Sequence, residues 1–370
     1  MQRHSVSVFM AATVIVFALA GCSRPPDLVG VDNPEVPAEA VPDVSTHRLF
    51  ITSTREASEV VGVFYSGERA PELGLASVDV TIPPNHVVGQ VERPKRLPPD
   101  PRTEFAVVDP VVYRDDASFV SEINRELARR PPGERKVLIF VHGFNNSTSD
   151  AILRLSQFVE DTGYQGVPVL FTWASANQLS RYVYDLNSAL VARSKLKIMA
   201  NVLLQTRAES VDILAHSMGT FLTMEGLVDA AQAGTLGKRA QINHIMLASP
   251  DIDVDVFRTQ IAQLPPAIVS RMFLLISKDD SALKASRRIA GGVPRVGADD
   301  AEELETLGVT VIDLSEIDDS STGSHTKFTG SPEVVRLIGV GLNSAGTFDK
   351  SNSSDLGTLL SGVPIRIFRE

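Results

Sequence analysis

The chain has 370 residues, is 43% hydrophobic and 22% charged, and carries a formal net charge of −10. An acidic chain with neither a basic stripe nor a long charge block argues against a nucleic acid partner, and a single cysteine excludes an internal disulfide. The length fits one large domain with decorations, or two domains, with enough apolar content for a sizeable core and no internal repeat.

In chain order, Arg3 precedes an apolar run from Val6 to Ala20, shorter than a bilayer-spanning helix requires. The run ends in Leu19-Ala20-Gly21-Cys22, which resembles the lipobox of bacterial lipoproteins. That resemblance implies a signal peptide over residues 1–21, cut before Cys22. Acyl chains such as palmitate on Cys22 would then anchor the mature protein to a membrane without spanning it. The bland alternative is an incidental cysteine. Ser23, standing where Asp would retain a lipoprotein at the inner membrane, points to the outer membrane if the cell is Gram-negative, and in any case to the cell envelope. Residues 22–45 are rich in Pro, Asp, Glu and Val without periodicity and read as a flexible tether. The domain proper is expected over 46–342, with 343–370 as an unassigned C-terminal tail.

Strands are predicted from Arg48 to Thr52, from Ser77 to Pro83 (an edge strand, since it ends in Pro-Pro) and from Glu104 to Tyr113. A helix over 117–130 stops at Pro131-Pro132. The region 46–135 then supplies the first strands and part of a flap. A regular alternation follows. Strands fall at 136–142, 167–173, 210–216, 242–248, 271–277 and 309–314, with helices over 148–161 and 181–205, after Ser217, and over 332–342. Near-continuous apolar strands such as Val137-Leu138-Ile139-Phe140-Val141 mark a buried, mostly parallel sheet with helices on both faces. Sites in such sheets lie outside the carboxyl ends of the strands.

The sequence Asp212-Ile-Leu-Ala-His-Ser-Met-Gly-Thr220 puts one serine between an apolar strand and a helix-compatible stretch, the layout of the nucleophile elbow of α/β-hydrolases. Ala215 and Gly219 keep the turn small. Ser217 is therefore the candidate nucleophile, and it needs a base. In this fold the order is serine, acid, histidine. Of seven histidines only His244 and His325 follow Ser217. His244 lies early in a predicted strand. His325 lies in a Gly/Ser/Thr loop past the last strand and is the favoured base. The acid should follow a strand end between them. Asp280, beside Asp279, is favoured, and Asp251, beside Asp253, is the alternative; each pair also suits a helix cap. The oxyanion hole needs two backbone N–H groups. Met218 offers one, and Phe144, after the strand ending His142-Gly143, offers the other. Trp173, the only tryptophan, either lines an acyl pocket or sits in the core, and Asp185 reads as a helix-start charge. The motifs that would hold a metal or a nucleotide cofactor do not occur.

These strings resemble bacterial α/β-hydrolases of unknown function that are often exported or lipid-anchored. The matching stretches are Thr52-Ser-Thr-Arg55, Phe64 to Arg69, Val78 to Pro83, Gly89 to Glu92, Phe140 to Asn145, Phe171-Thr-Trp173, Ala215 to Gly219, Ser249 to Asp253, Ser277 to Leu283 and the His325 loop. Trp173-Ala174 stands where the resemblance leads one to expect Trp-Pro. The resemblance implies Ser217 as nucleophile, His325 as base and, less firmly, Asp280 as acid. The expected function is serine hydrolysis of a small-molecule or lipid ester through an acyl-enzyme, in the manner of an esterase or lipase. The alternatives are a non-catalytic binding or assembly protein of the envelope, an acyltransferase and an amidase.

Overall fold

The computed structural model describes residues 24–236, 241–318, 323–343 and 364–369. Cys22 lies outside the described residues, as does most of 343–370. Ten strands form one sheet: β1 (Ser45–Ala57), β2 (Tyr65–Ile82), β3 (Ala106–Tyr113), β4 (Lys136–Val141), β5 (Val167–Thr172), β6 (Ser210–His216), β7 (Gln241–Ala248), β8 (Met272–Ile276), β9 (Thr310–Asp313) and β10 (Arg366–Phe368). Their order is β10-β9-β8-β7-β6-β4-β5-β1-β2-β3. From β9 through to β1 every neighbouring pair is parallel, whereas β2, β3 and β10 join antiparallel. The main helices are α1 (Asp116–Ala128), α2 (Thr148–Thr162), α3 (Tyr182–Leu203), α4 (Met218–Gln232), α5 (Val254–Ile261), α6 (Ser281–Ile289) and α7 (Pro332–Asn343).

Strand alternation divides the core between the two faces of this sheet. Val137, Ile139 and Val141 of β4 point into one apolar cluster with Phe119 of α1, Met199 of α3 and Leu222 of α4. Leu138 and Phe140 point into the other, with Ile152 and Phe158 of α2 and Ile338 of α7. Both faces of the parallel strands are therefore dry, which is why those strands read as unbroken apolar runs. Helix starts are set by local caps: Asp115 accepts from the Ser118 N–H at the start of α1, and Ser147 and Asp150 form a reciprocal capping box on α2.

Three expectations change. The stretch predicted as a short edge strand at 77–83 is the end of the 18-residue β2, an interior strand flanked by β1 and β3. Pro83 follows its last residue, so the missing N–H removes no ladder bond. The edge strand is β3, which carries Pro110, the position where proline is tolerated. The tether expected over 22–45 is, from residue 24 onward, docked on the body. Leu28 and Val29 are buried in the second cluster, Val29 bridges to Gly62 and Val107, and the Leu28 N–H donates to Ser149 Oγ at 3.1 Å. A few apolar side chains, with Ala38 and Val41 buried further along, anchor a segment whose composition reads as linker. Within the C-terminal tail, Arg366 to Phe368 form β10 on β9.

Because Leu28 is fully enclosed, Leu28→Ala should cost about 2–5 kcal/mol, seen as a lower urea midpoint; a detached tether would leave the midpoint unchanged.

Candidate active site

The turn from β6 to α4 places Ser217 at φ 52° and ψ −124°. A serine with positive φ is strained and persists only where its surroundings fix it. Here the Ser217 N–H donates to the Ala248 carbonyl at 2.9 Å, and the Ser217 carbonyl accepts from the Thr220 hydroxyl and from the Asp251 N–H. Two glycines let the end of β4 come up against this turn. A Cβ on Gly219 would stand 2.4 Å from the His142 carbonyl oxygen and 2.5 Å from that of Val141. A Cβ on Gly143 would stand 2.8 Å from the Cβ of Ser217. The loop after β4 and the serine turn are thus in backbone contact, a proximity that side chains at 143 or 219 would forbid. Met218 opens α4, so its N–H belongs to the first turn, which has no acceptor within the helix. Phe144 follows Gly143 and packs edge-on against Tyr182 at 5.2 Å.

The loop after β4 rests on a buried polar network. The Arg55 guanidinium, at the end of β1, donates to Thr172 Oγ1, to the Ser66 and Ser175 carbonyls and to the Asn146 carbonyl, and lies 3.3 Å from His142 Nε2. Desolvation lowers its pKa to about 10, although Asp185 opposes the shift, so it stays a cation at neutral pH. His142 is buried and depressed to about 3, by desolvation first and the Arg55 charge second. It is therefore a neutral imidazole. With Nδ1 2.8 Å from the Gly143 carbonyl, the network assigns the proton to Nδ1, leaving Nε2 to accept from Thr172 Oγ1 and the Trp173 N–H. The Trp173 ring stacks on His142 at 5.1 Å, and its indole N–H donates to the His142 carbonyl. Trp173 is fully buried and belongs to the core. Asp185 accepts from Ser175 Oγ, the Ala176 N–H and the Asn145 N–H. It holds this loop, a role beyond the helix-start charge expected of it.

On the other side of the turn, His325 Nδ1 lies 2.7 Å from Asp280 Oδ2, while Asp280 Oδ1 caps α6 by accepting from the Leu283 N–H. Asp280 is fully buried. The His325 carbonyl accepts from Ser249 Oγ at 3.1 Å and from His216 Nε2 at 3.2 Å, and the His216 and His325 rings stand 4.8 Å apart. His216 is buried and held well below its usual pKa, chiefly by desolvation and then by His325, so it donates as a neutral ring. The loop is clamped a second time by the neighbouring aspartate. Lys327 Nζ, almost fully buried, donates to both oxygens of Asp279 and to Ser277 Oγ and the Leu314 carbonyl, and Ser324 Oγ donates to Asp279. Burial alone would raise Asp279, but the hydrogen bonds from Ser277, Ser324 and Lys327 outweigh it and hold the carboxyl down at about 2.

The two acid candidates thus part company. Asp280 faces His325. Asp251 accepts from the Tyr182 hydroxyl at 2.8 Å and from Ser286 Oγ, and pairs with Arg295 Nε at 3.2 Å. His244 sits at the amino end of the sheet with Nδ1 2.7 Å from Asp212. Among the described residues no three His, Cys, Asp or Glu side chains converge as a metal site. Sequence reading missed Arg55, His142 and Lys327 as structural parts of the site. The available signal was weak: a charged residue closing the strand string Thr52-Ser-Thr-Arg55, and a lysine two places after the loop histidine.

A parallel sheet wound on both faces with a serine on the strand-to-helix turn defines an α/β-hydrolase. Residues 115–341 match the model of the family described as Alpha/beta hydrolase of unknown function (DUF900), and the chain belongs to that family. No curated protein matches the chain. Among solved structures, one of the fungal esterases from Rhizomucor miehei is similar at 12% identity, covering 82% of this chain and 85% of its own, with a TM-score of 0.35.

Two outcomes are expected. Gly219→Ala drives a Cβ into two backbone oxygens that cannot swing away, and should lower stability by about 1–3 kcal/mol in urea unfolding. Asp279 is depressed in the folded state from 3.8 to about 2, so its contribution is complete above about pH 4 and is lost as the pH falls toward 2. The acid limb of the stability–pH curve should flatten in Asp279→Asn.

Proposed function

We propose that this protein is a serine hydrolase that cleaves carboxylic esters through an acyl-enzyme, with Ser217 as nucleophile, His325 as general base and Asp280 as the acid that orients it. The observation that carries the reading is the His325–Asp280 pair, tied through the His325 carbonyl to His216 and Ser249, beside a serine in strained positive-φ geometry. With Nδ1–H directed at Asp280, Nε2 holds the lone pair that a base requires. His325 takes the hydroxyl proton as Ser217 Oγ bonds to the ester carbonyl carbon. The tetrahedral oxyanion is received by the N–H groups of Met218 and Phe144. The C–O bond to the alcohol breaks as His325 returns the proton to the leaving oxygen. Water repeats the sequence on the acyl-enzyme and releases the acid. Arg55, Asp185 and the neutral His142 act as positioning residues, keeping the loop that carries Phe144 against the elbow without reorganisation. The mature chain, in this reading, is held at a membrane of the cell envelope by acylation of Cys22.

Ser217→Ala should abolish covalent labelling by a fluorophosphonate and lower turnover of short p-nitrophenyl esters by at least about 10³-fold. Asp280→Asn should lower kcat by about 10³–10⁴-fold, whereas Asp251→Asn should leave kcat within about tenfold. Equal turnover by wild type and Ser217→Ala, or a wild-type protein inert to the probe, would favour a binding or assembly role over the hydrolase.

A further inference from the structure

The first described residues leave the body beside the site. Arg24 Nη2 donates to Asn145 Oδ1 at 3.4 Å, and Asn145 follows Phe144. The next residues are fixed: Arg93 donates to the Pro26 carbonyl, the Leu28 N–H bonds Ser149, and Val29 bridges to Gly62. At most about 7 Å of extended chain separates Cys22 from Arg24. If Cys22 is acylated as proposed above, covalent reach keeps the lipid attachment point within about 7 Å of Arg24, beside the loop after β4.

A second feature lies at the same edge. In register, Ser53 of β1 pairs with Thr172 of β5, Phe171 with Val141 of β4, and Val141 with Ala215 of β6. The turn after β1 and the loop after β5 thus emerge at the end of the sheet that carries Ser217. Large aliphatic side chains stand open to solvent there: Val60 (66% exposed) and Val61 (78%) on the turn, and Leu179 (74%) and Val183 (62%) at the entry to α3. Gly62 of the turn packs on Asp27, and Gly67, just inside β2, packs on Ser175 and Ala176 of the loop after β5, so turn, loop and chain exit are neighbours. Tyr182, beside Val183, touches Phe144.

We infer that this carboxyl edge is a membrane-docking surface, seating the opening of the site on the bilayer that holds the Cys22 lipid, and that the ester cleaved is an acyl ester of a membrane lipid. Acyl chains on Cys22 hold the protein at the bilayer but do not by themselves choose which face meets it. The exposed aliphatic side chains make that choice. The contact is made by aliphatic side chains rather than by charge, so added salt does not weaken it. The substrate assignment rests on the hydrolase reading above; the docking does not.

Cys22 is the only cysteine, and once acylated it leaves an introduced thiol as the sole labelling site. The acylated protein carrying a fluorophore on Val61→Cys or Leu179→Cys is reconstituted in phosphatidylethanolamine–phosphatidylglycerol vesicles doped with brominated phosphatidylcholine. Both labels should be quenched several-fold more than one on Arg207→Cys at the opposite edge, at low and high salt alike. Equal quenching at the three positions overturns the docking. A flexible Gly/Ser linker of about thirty residues, spanning about 30 Å, is then inserted between Ser23 and Arg24. It should lower hydrolysis of the vesicle phospholipid several-fold while leaving soluble p-nitrophenyl butyrate turnover unchanged. Unchanged phospholipid hydrolysis overturns the seating of the site on the bilayer, and no phospholipid hydrolysis in a protein that cleaves the butyrate overturns the lipid substrate. Butyrate turnover that survives Ser217→Ala instead overturns the hydrolase reading, and the quenching result stands apart from it.

Discussion

Backbone contact between two turns is the constraint from which the site follows. The loop after β4 and the turn after β6 meet so closely that neither Gly143 nor Gly219 has space for a methyl group. That closeness presses a serine into positive φ and aligns the N-terminus of α4 with the amide after Gly143. Parallel pairing of β4 with β6 brings the two turns to the same level, and the dry faces of the sheet hold the pairing rigid. Strain at Ser217 is sustained by hydrogen bonds from three directions, with the end of β7 as one of them.

Around that contact the polar groups divide into two braces of different character. One is cationic and permanent: Arg55 spreads its donors over carbonyls of β2 and of the loops after β4 and β5, and the desolvated His142 beside it is neutral, so the pair avoids two adjacent buried charges. The other is an ion pair, Lys327 with Asp279, which fixes the segment bearing His325. Adjacent aspartates thus do separate work. Asp279 ties down the loop, and Asp280 meets the imidazole. Lys327 is buried but Asp279 is half open to solvent, so the pair contributes geometry more dependably than it contributes stability.

Much of the architecture was legible because the parallel strands are buried on both faces, and strings such as Val137 to Val141 admit no other reading. The serine turn was equally plain, since small residues flank it between a strand and a helix. Long-range choices were not. Asp251 and Asp280 each follow a strand and each suit a cap, and their separation depends on which one a loop 45 residues away in the chain reaches. The true extent of β2 was hidden by Gly67-Glu68-Arg69-Ala70-Pro71-Glu72, whose composition opposes a strand and in which only Arg69 pairs with β1, between two register shifts. Residues 24–44 looked like linker because only a few scattered apolar side chains, Leu28, Val29, Ala38 and Val41, carry their packing. Nothing in the sequence announces that Arg55 is buried; a guanidinium is enclosed only where carbonyls from distant segments converge on it.

That last residue bears on where the functional unit begins. The family match starts at residue 115, yet the guanidinium that steadies the loop after β4 comes from residue 55, on a strand wholly upstream of the match. A fragment cut at the family boundary would retain serine, histidine and aspartate while leaving the Asn146 and Ser175 carbonyls without their donor and opening a flank of β5. The first two strands are therefore not an ornament added to a self-sufficient catalytic body. They form one of its walls.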